Sequence, residues 1–294
     1  MACPPAESST RRTRPADLPE LTVVVPTRDR PRALGRCLAY LGRQQGVAIE
    51  VLVVDDGSVD QAAMRATMAP HRHARLLAGG GHGPAAARNL GARAARSNAV
   101  AFTDDDCEPE PRWAGALLRR LASGATVVAG ATVNARPDDP FAAASQAITN
   151  HLTDHGGQAF APSNNVASRT EILLALPFDE TYSDAAGEDR DWCLRLAGAG
   201  HRLEIERAAV VVHRQDLGPS GFVRQQLRYG RGARIFRTVG DSTAVRARPA
   251  FYLGLVRAGF AHGRAVGALV LLSQLLIVLG YLQAALRQRR SPEP

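Results

Sequence analysis

Short apolar runs alternate with segments of helical periodicity from residue 21 to residue 103. The runs 21–25 and 49–54 are rich in β-branched residues and end in turn or acidic residues, which is typical of buried strands. Between them, residues 32–45 place leucines on one helical face. The alternation continues with a helix over 62–68, a strand over 74–78, a helix over 85–95 and a strand over 100–103. This order predicts an α/β fold with a mostly parallel central sheet and helices on both faces.

Each of the main predicted strands ends in polar residues, most of them acidic. The segments at these ends are Thr27-Arg28-Asp29, Asp55-Asp56-Gly57-Ser58 and Asp104-Asp105-Asp106. Ligands of open parallel sheets bind beyond the carboxyl ends of the strands. If the protein is an enzyme, its chemistry is therefore expected in these three segments.

The acidic triplet 104–106 is the first candidate for metal binding. Alternate residues of an extended segment point the same way, so Asp104 and Asp106 can present two carboxylates to one site while Asp105 turns aside. Such oxygen ligands suit Mg²⁺ or Mn²⁺ carrying a diphosphate. A solvated acidic turn is the alternative that the triplet alone leaves open.

The pair Asp55-Asp56 has two interpretations. Its carboxylates can accept hydrogen bonds from a base N–H or a ribose hydroxyl. Alternatively, Asp56 or Ser58 caps the next helix by accepting bonds from its first amides.

Acids also open the helix predicted to begin near Gly187. They either favour the helix dipole or place Asp189 near a sugar as a general base, with Glu188 or Asp191 as neighbours.

Two further candidates lie downstream. His213 ends the β-branched run 210–212, and it is either a packed side chain or a further contact to metal or diphosphate. The spacing of Gln225, Arg228 and Tyr229 places them on one helical face, which suits an acceptor, a diphosphate or an anionic membrane.

The glycine-rich segment Gly79-Gly80-Gly81-His82-Gly83 matches a dinucleotide-binding loop only weakly. A dinucleotide fold places that loop after its first strand, which here ends without glycine. A Walker loop needs lysine, and the chain has none.

Together these segments resemble one family, the inverting family 2 glycosyltransferases with the A-type nucleotide-diphospho-sugar transferase fold. The resemblance covers about residues 21–229 and depends on the order and spacing of its motifs. These motifs are Val24-Val25-Pro26-Thr27-Arg28-Asp29-Arg30, Val53-Val54-Asp55-Asp56-Gly57-Ser58, Gly83-Pro84-Ala85-Ala86-Ala87-Arg88-Asn89-Leu90-Gly91, Asp104-Asp105-Asp106, Pro177-Phe178-Asp179-Glu180 and Gly187-Glu188-Asp189-Arg190-Asp191.

The resemblance implies transfer of a sugar from a nucleoside diphosphate to an acceptor hydroxyl, with Mn²⁺ or Mg²⁺ as cofactor and inversion at the anomeric carbon. The nucleotide contacts predicted with its help are Pro26, Thr27, Arg28, Asp55, Asp56, Arg88 and Asp105. The predicted metal ligands are Asp104, Asp106 and His213, and the predicted catalytic residues are Asp189, Glu188 and Asp191. The predicted acceptor or diphosphate contacts are Asn165, Gln225, Arg228 and Tyr229, the last standing where the family has tryptophan.

The remaining sequence predicts how the chain is organised around one catalytic domain. Residues 265–286 carry no charge and are long enough to cross a bilayer, so a span, an interfacial helix and a buried or oligomerising helix all stay open. The predicted divisions are a disordered leader over 1–20, the catalytic domain over 21–240, a linker or amphipathic segment over 241–264, the hydrophobic helix over 265–286 and a basic tail over 287–294.

Composition limits the partners and the compartment. The net charge is +8, but all 36 basic residues are arginine, which indicates a coding bias rather than a nucleic-acid surface. The four cysteines have no disulfide or zinc spacing, which favours a reducing compartment. The expected partners are a nucleotide sugar, a hydroxyl acceptor that is lipid-linked or part of a glycan, and the cytoplasmic face of the cell membrane. The rival interpretations are a catalytically silent, membrane-associated binding protein and another nucleotide enzyme, either a nucleotidyltransferase or a dehydrogenase.

Overall fold

The computed structural model describes residues 18–155, 160–182, 186–239 and 249–290. Its strands are β1 (Leu21–Thr27), β2 (Ile49–Asp55), β3 (Ala74–Ala78), β4 (Ala99–Thr103), β5 (Cys107–Pro109), β6 (Val127–Asn134), β7 (Asn165–Arg169) and β8 (Leu203–His213). Its helices are α1 (Pro31–Leu41), α2 (Gln61–Met68), α3 (Pro84–Ala94), α4 (Trp113–Ala122), α5 (Pro140–His155), α6 (Thr170–Ala175), α7 (Glu188–Gly198), α8 (Gly218–Val239), α9 (Pro249–Ala261) and α10 (Arg264–Arg290). Nearly all of the predicted leader and part of the predicted linker, 241–248, lie outside the described residues.

The strands form one sheet in the order β3-β2-β1-β4-β7-β6-β8-β5. Strands β1, β2, β3 and β4 are parallel, β7 is antiparallel to β4 and β6, β8 is parallel to β6, and β5 is antiparallel to β8. Six of the eight strands therefore run in one direction, as the alternation of strands and helices predicts. Every residue of β1 is buried, as expected of a parallel strand covered by helices on both faces.

Two apolar layers cover the sheet. One contains side chains of α1, α2 and α4, with Leu34, Met64 and Trp113 in its interior. The other contains side chains of α3, α6 and α7, with Ala87 and Trp192 among them. The prediction of helices on both faces is thus confirmed.

An irregularity in the pairing of β6 with β8 is filled by Asn165. The register shifts between Gly130 and Ala131. The Asn165 amide nitrogen donates to the carbonyls of Ala131 at 2.9 Å and Ala209 at 3.1 Å, and its oxygen accepts from the Trp113 indole at 2.8 Å. A Cβ on Gly130 would collide with Asn165, so glycine is required there. Asn165 is fully buried.

The last helices form a separate cluster against α5. Side chains from α5, α8, α9 and α10 meet around Phe222, Leu255 and Val270. The stretch Arg264–Arg287 of α10 is long and apolar enough to cross a membrane, and an 18-residue window within it has a mean hydropathy of 2.3. Helices α8 and α10 approach so closely at Gly230 and Gly280 that a Cβ on either would strike the backbone of the other helix. The predicted C-terminal hydrophobic helix is confirmed, and it packs against the rest of the chain.

Candidate active site

The predicted site residues gather at the carboxyl edge of the sheet. Thr27 is opposite Asp55 at the ends of β1 and β2. The triplet 104–106 follows β4, and His213 at the end of β8 is opposite Cys107. Side chains far apart in sequence meet here because the parallel strands all end at this edge.

Asp105 turns towards β1. Its two oxygens accept a hydrogen bond from the Thr27 hydroxyl at 2.7 Å and pair with Arg30 at 2.9 Å. Burial raises the pKa of Asp105 to about 7, although the charge of Arg30 opposes the shift. Thr27 and Asp105, two of the predicted nucleotide contacts, thus bond to each other in this structure. Arg30 belongs to the first motif of the resemblance but has no predicted role there, and its position three residues beyond the end of β1 is the signal that could have identified it.

Asp106 and His213 form the best-defined candidate metal site. The His213 Nε2 atom lies 3.2 Å from one Asp106 oxygen, and Arg30 donates to the other at 2.7 Å. Burial opposes ionisation of Asp106, but His213 and Arg30 outweigh it and hold the pKa of this carboxyl well below its usual range. Burial likewise opposes the charged form of His213, but the hydrogen bond with Asp106 raises the pKa of the imidazole.

The donor atoms here fit a divalent cation. One atom each from Asp106, Cys107 and His213 lie within 4.8 Å of one another. The carboxylate oxygen and imidazole nitrogen suit Mn²⁺ and similar ions. Burial raises the pKa of the Cys107 thiol well above its usual value, so this group stays protonated and is the weakest donor of the three. Of the three predicted ligands, the structure brings Asp106 and His213 together, whereas Asp104 pairs with an arginine.

Arg88 of α3 joins the acidic triplet to the start of α7. Its guanidinium donates to Asp104 at 3.0 Å and to Glu188 at 3.0 Å. The second Glu188 oxygen is buried and has no hydrogen-bond partner among the described residues. Burial opposes the charged form of Arg88, but Asp104 and Glu188 raise its pKa, so the guanidinium remains charged.

Asp189 lies beside this pair in the first turn of α7. Burial, followed by the charge of Glu188, raises the pKa of Asp189 to about 7, although Arg88 opposes the shift. A carboxylate poised near neutral pH suits a general base. Asp191 differs, because its carboxylate pairs with Arg195 at 2.7 Å within the same helix.

Asp55 and Asp56, at the end of β2, make different hydrogen bonds and so have different roles. Asp55 accepts from the Ser58 amide at 2.9 Å and from the Gln61 side chain at 2.6 Å, so its oxygens support the turn. One Asp56 oxygen accepts from the Gly83 amide at 2.9 Å. The other is buried and has no partner among the described residues. Asp56 therefore keeps an acceptor for a ligand N–H or hydroxyl.

The two remaining predicted nucleotide contacts flank Thr27 at the end of β1. Pro26 is buried in β1. The Arg28 side chain is 58% exposed and lies 3.9 Å from the Asp29 carboxylate. Arg28 is thus accessible to a ligand, whereas Pro26 is buried.

Helix α8 brings Tyr229 close to the acids. Burial raises the pKa of Tyr229 to about 12, with smaller contributions from Asp189, Glu188 and Asp104. Arg228 is its neighbour in α8, while the Gln225 oxygen accepts from Ser145 of α5 at 3.1 Å. Gln225 therefore joins α8 to α5 in this structure.

The predicted acceptor contact at Asn165 does not fit its position. All of its described hydrogen bonds go to protein groups, and no part of it is exposed. Its neighbour Asn164 lies 3.4 Å from the His213 Nδ1 atom and is better placed near the metal site. Gln215 also approaches the His213 ring, at 3.3 Å, and sequence reasoning gave no signal for it.

Comparison with solved structures defines the class of this fold. A mannosyltransferase from Pyrobaculum calidifontis, solved in complex with GDP-Man and Mn²⁺, aligns over 94% of this chain and 81% of its own length. Its TM-score is 0.57 at 18% sequence identity. TarS of S. aureus aligns over 89% of this chain and 54% of its own, with a TM-score of 0.52 at 15% identity. The fold is that of the A-type glycosyltransferases.

Sequence comparison identifies the family. The family model described as glycosyl transferase family 2 matches residues 22–174, so the chain belongs to this family. The pre-mycofactocin glycosyltransferase of Mycobacterium tuberculosis is 30% identical over 230 residues, which cover 73% of this chain and 47% of the relative. The succinoglycan biosynthesis protein ExoO of Rhizobium meliloti is 33% identical over 112 residues, 37% of this chain and 32% of the relative. The chain thus spans about half or less of the length of these curated relatives.

Proposed function

We propose that the protein transfers a sugar from a nucleoside diphosphate to an acceptor hydroxyl, with inversion and with the help of a divalent metal. The observation that carries this proposal is the bridge formed by Arg88. It links Asp104, beside the candidate metal ligands, to Glu188, beside the candidate base Asp189. The groups that would hold the donor and the group that would activate the acceptor therefore share one site.

The donor is proposed to lie along the carboxyl ends of β1, β2 and β4. The free oxygen of Asp56 is suited to accept from the base or ribose. Arg28 is exposed nearby, and Arg88 carries positive charge towards the position of the diphosphate. Charged donors of this kind stabilise a leaving group on which negative charge develops.

Asp106 and His213 are proposed to hold the metal, with Asp104 as a further carboxylate. When bound, a divalent ion supplies positive charge to the departing diphosphate. Mn²⁺ fits the mixed oxygen and nitrogen donors, and the structural relative from Pyrobaculum calidifontis was solved with Mn²⁺. In this structure Arg30 occupies one Asp106 oxygen, so that arginine would help to position the carboxylate.

Asp189 is proposed to remove the acceptor proton. Its pKa of about 7 lets it exist as a carboxylate at neutral pH while remaining basic enough to accept a proton. The hydroxyl oxygen attacks the anomeric carbon from the face opposite the diphosphate. The new glycosidic bond forms as the bond to the departing diphosphate breaks, and this single displacement inverts the configuration. Glu188 fixes Arg88 and helps to set the basicity of Asp189, which makes it a positioning residue.

We further propose a lipid-linked or glycan acceptor at the cytoplasmic face of the membrane, in cell-envelope synthesis. The support is the apolar stretch of α10 and the likeness to ExoO, a relative named for succinoglycan biosynthesis.

Calorimetric titration of the full chain with uridine, thymidine and guanosine diphosphates, each with and without Mn²⁺, tests the donor site. The full chain is used because α10 packs tightly against α8. We expect Mn²⁺-dependent binding of one nucleotide. It should be lost in the Asp104→Ala, Asp106→Ala double variant and retained in Glu110→Gln, which changes an exposed carboxylate beyond β5. No binding by folded wild-type protein would overturn the proposed donor site.

Hydrolysis of the matching nucleotide sugar separates an enzyme from a catalytically silent binding protein. An active enzyme should transfer the sugar slowly to water and release the nucleoside diphosphate, and this reaction should depend on the metal. Binding without any turnover would favour the silent protein.

A further inference from the structure

The outward face of α10 is a continuous apolar stripe. Leu275 is 65% exposed, and the other members are between 46% and 57% exposed. The stripe consists of Leu271, Leu275, Val278, Leu282 and Leu286. Spacings of three and four residues align these side chains along one side of the helix for about 22 Å. An apolar surface of this length needs a partner.

The opposite face of α10 is committed to the protein. Val270 and Ser273 are fully buried, and Gly280 packs directly on the backbone of α8. Helix α8 packs along α10 more extensively than any other pair of described helices. Helix α10 is therefore one layer of a helical cluster and not an isolated rod.

The packing of α8 on α10 disfavours a transmembrane position for α10. The contact between Gly230 of α8 and Ile277 lies near the middle of the 24-residue apolar stretch. The Arg234 and Arg237 guanidinium groups lie over the ring of Tyr281, at 5.7 Å and 5.3 Å from its centroid. A transmembrane α10 that kept these contacts would carry arginines into hydrocarbon, which is costly.

The charge around the stripe suits an anionic surface. From residue 218 to residue 290 the sequence has twelve arginines and a single acidic residue, Asp241. Arg257, Arg264 and Arg287 are exposed in α9 and at both ends of the apolar stretch. An interfacial helix combines this arrangement of cations with an apolar face that enters the boundary between headgroups and acyl chains.

We propose that α10 lies in the plane of an anionic lipid bilayer, with the stripe 271–286 inserted and its other face still packed on α8. This inference rests on the proposed membrane association and specifies its geometry. The helix would dock the catalytic domain on the surface without crossing the membrane.

Depth measurement distinguishes the two geometries. A fluorophore is attached to single cysteines introduced one at a time at the five stripe positions, in a Cys3→Ser background because Cys37, Cys107 and Cys193 are buried. Quenching of the fluorophore by nitroxide lipids is then measured on vesicles of phosphatidylcholine with 30% phosphatidylglycerol. The buffer has about the ionic strength of the cell, so that surface charges are screened as they are there. Equal, shallow depths are expected at all five positions. Deep quenching at positions 275 and 278 with shallow quenching at 286 would show a span and overturn the proposal.

Vesicle flotation supplies the second measurement. The Leu275→Gln, Leu282→Gln double variant should bind vesicles about tenfold more weakly. It lacks the favourable transfer of two half-exposed leucine side chains from water into the membrane. The control is Leu174→Gln on α6, which alters a leucine that is 53% exposed on the catalytic domain and should bind normally. The proposal would be overturned if the wild-type protein did not bind vesicles and its mass in solution showed that it dimerises through the stripe. Nucleotide binding, measured on the same samples, reports separately on the proposed transferase site.

Discussion

Replacing Arg88 with methionine tests how the acids of the site are held together. The substitution removes the charge but keeps an apolar side chain near Phe178, whose ring centroid lies 5.9 Å from the guanidinium carbon. Asp104 and Glu188 would each lose a 3.0 Å partner. The Glu188 side chain is only 7% exposed, so water cannot replace its lost contact, whereas Asp104 is 32% exposed and can be solvated.

The size of the effect follows from this burial. Breaking a buried pair by removing one partner costs roughly 3–5 kcal/mol, because the other charge stays buried and unpaired. In a domain of this size each kcal/mol shifts the melting temperature by about 2–4 °C, so a fall of about 6–20 °C is expected. Arg93→Met on the same helix is the matched control. That arginine lies 3.9 Å from Glu180 with both side chains about half exposed, and such a pair contributes at most about 1 kcal/mol.

The assay is thermal unfolding followed by circular dichroism, with guanidinium titration as a second measure of the free energy of unfolding. A further variant, Arg88→Met with Glu188→Gln, should recover part of the loss because the buried carboxylate is then neutral. If Arg88→Met melts no lower than Arg93→Met, the buried bridge does not stabilise the fold and the reasoning is refuted.

Three further outcomes are expected. Because the pKa of Asp189 is raised to about 7, turnover should rise with pH up to that value and level off above it. The Asp189→Asn variant should lower kcat by about 10²-fold or more. A flat kcat profile between pH 5.5 and 8.5 would contradict the assignment of Asp189 as the base. His213→Ala should weaken Mn²⁺ binding at least about tenfold in calorimetry, whereas unchanged affinity would remove this residue from the metal site. Gly280→Ala should destabilise the protein by about 1–3 kcal/mol in guanidinium titration, because its Cβ would strike the carbonyl of Leu227. Gly198→Ala is the control, since its Cβ would meet nothing within 4 Å, and equal losses in the two variants would argue against tight packing of α8 on α10.

The sequence was sufficient for the fold of the first half of the chain. Buried parallel strands read as continuous apolar runs, and β1 and β2 are of this kind, so their positions and ends could be predicted closely. The antiparallel strand β7 was not predicted. Its five residues begin with Asn165, whose polar side chain gives no strand signal. Asn165 was instead predicted to contact the acceptor or the diphosphate.

Site residues could be predicted where a functional side chain directly follows or ends a strand. They could not be predicted where their role depends on a hydrogen-bond partner from a distant segment. The gathering of Asp106 and His213 could be anticipated because each ends or follows a strand. The separate roles of Asp55 and Asp56 could not, because they depend on the amides of Ser58 and Gly83. Asn89 illustrates the same limit. Its side-chain nitrogen donates to the Phe178 carbonyl and its side-chain oxygen accepts from the Phe178 N–H, both at 2.9 Å, so these bonds join two motifs of the resemblance.

Helix α8 connects the two proposals about this protein. Burial raises the pKa of Tyr229, and the nearby charges of Asp189, Glu188 and Asp104 add to the shift. The next residue, Gly230, packs on α10. Packed helices lie about 8–10 Å apart axis to axis, so a membrane-docked α10 would keep the site little more than one helix diameter from the lipid surface. An acceptor hydroxyl carried by a membrane lipid could then reach Asp189 without leaving the bilayer, which is why docking in the plane and a lipid-linked acceptor support each other.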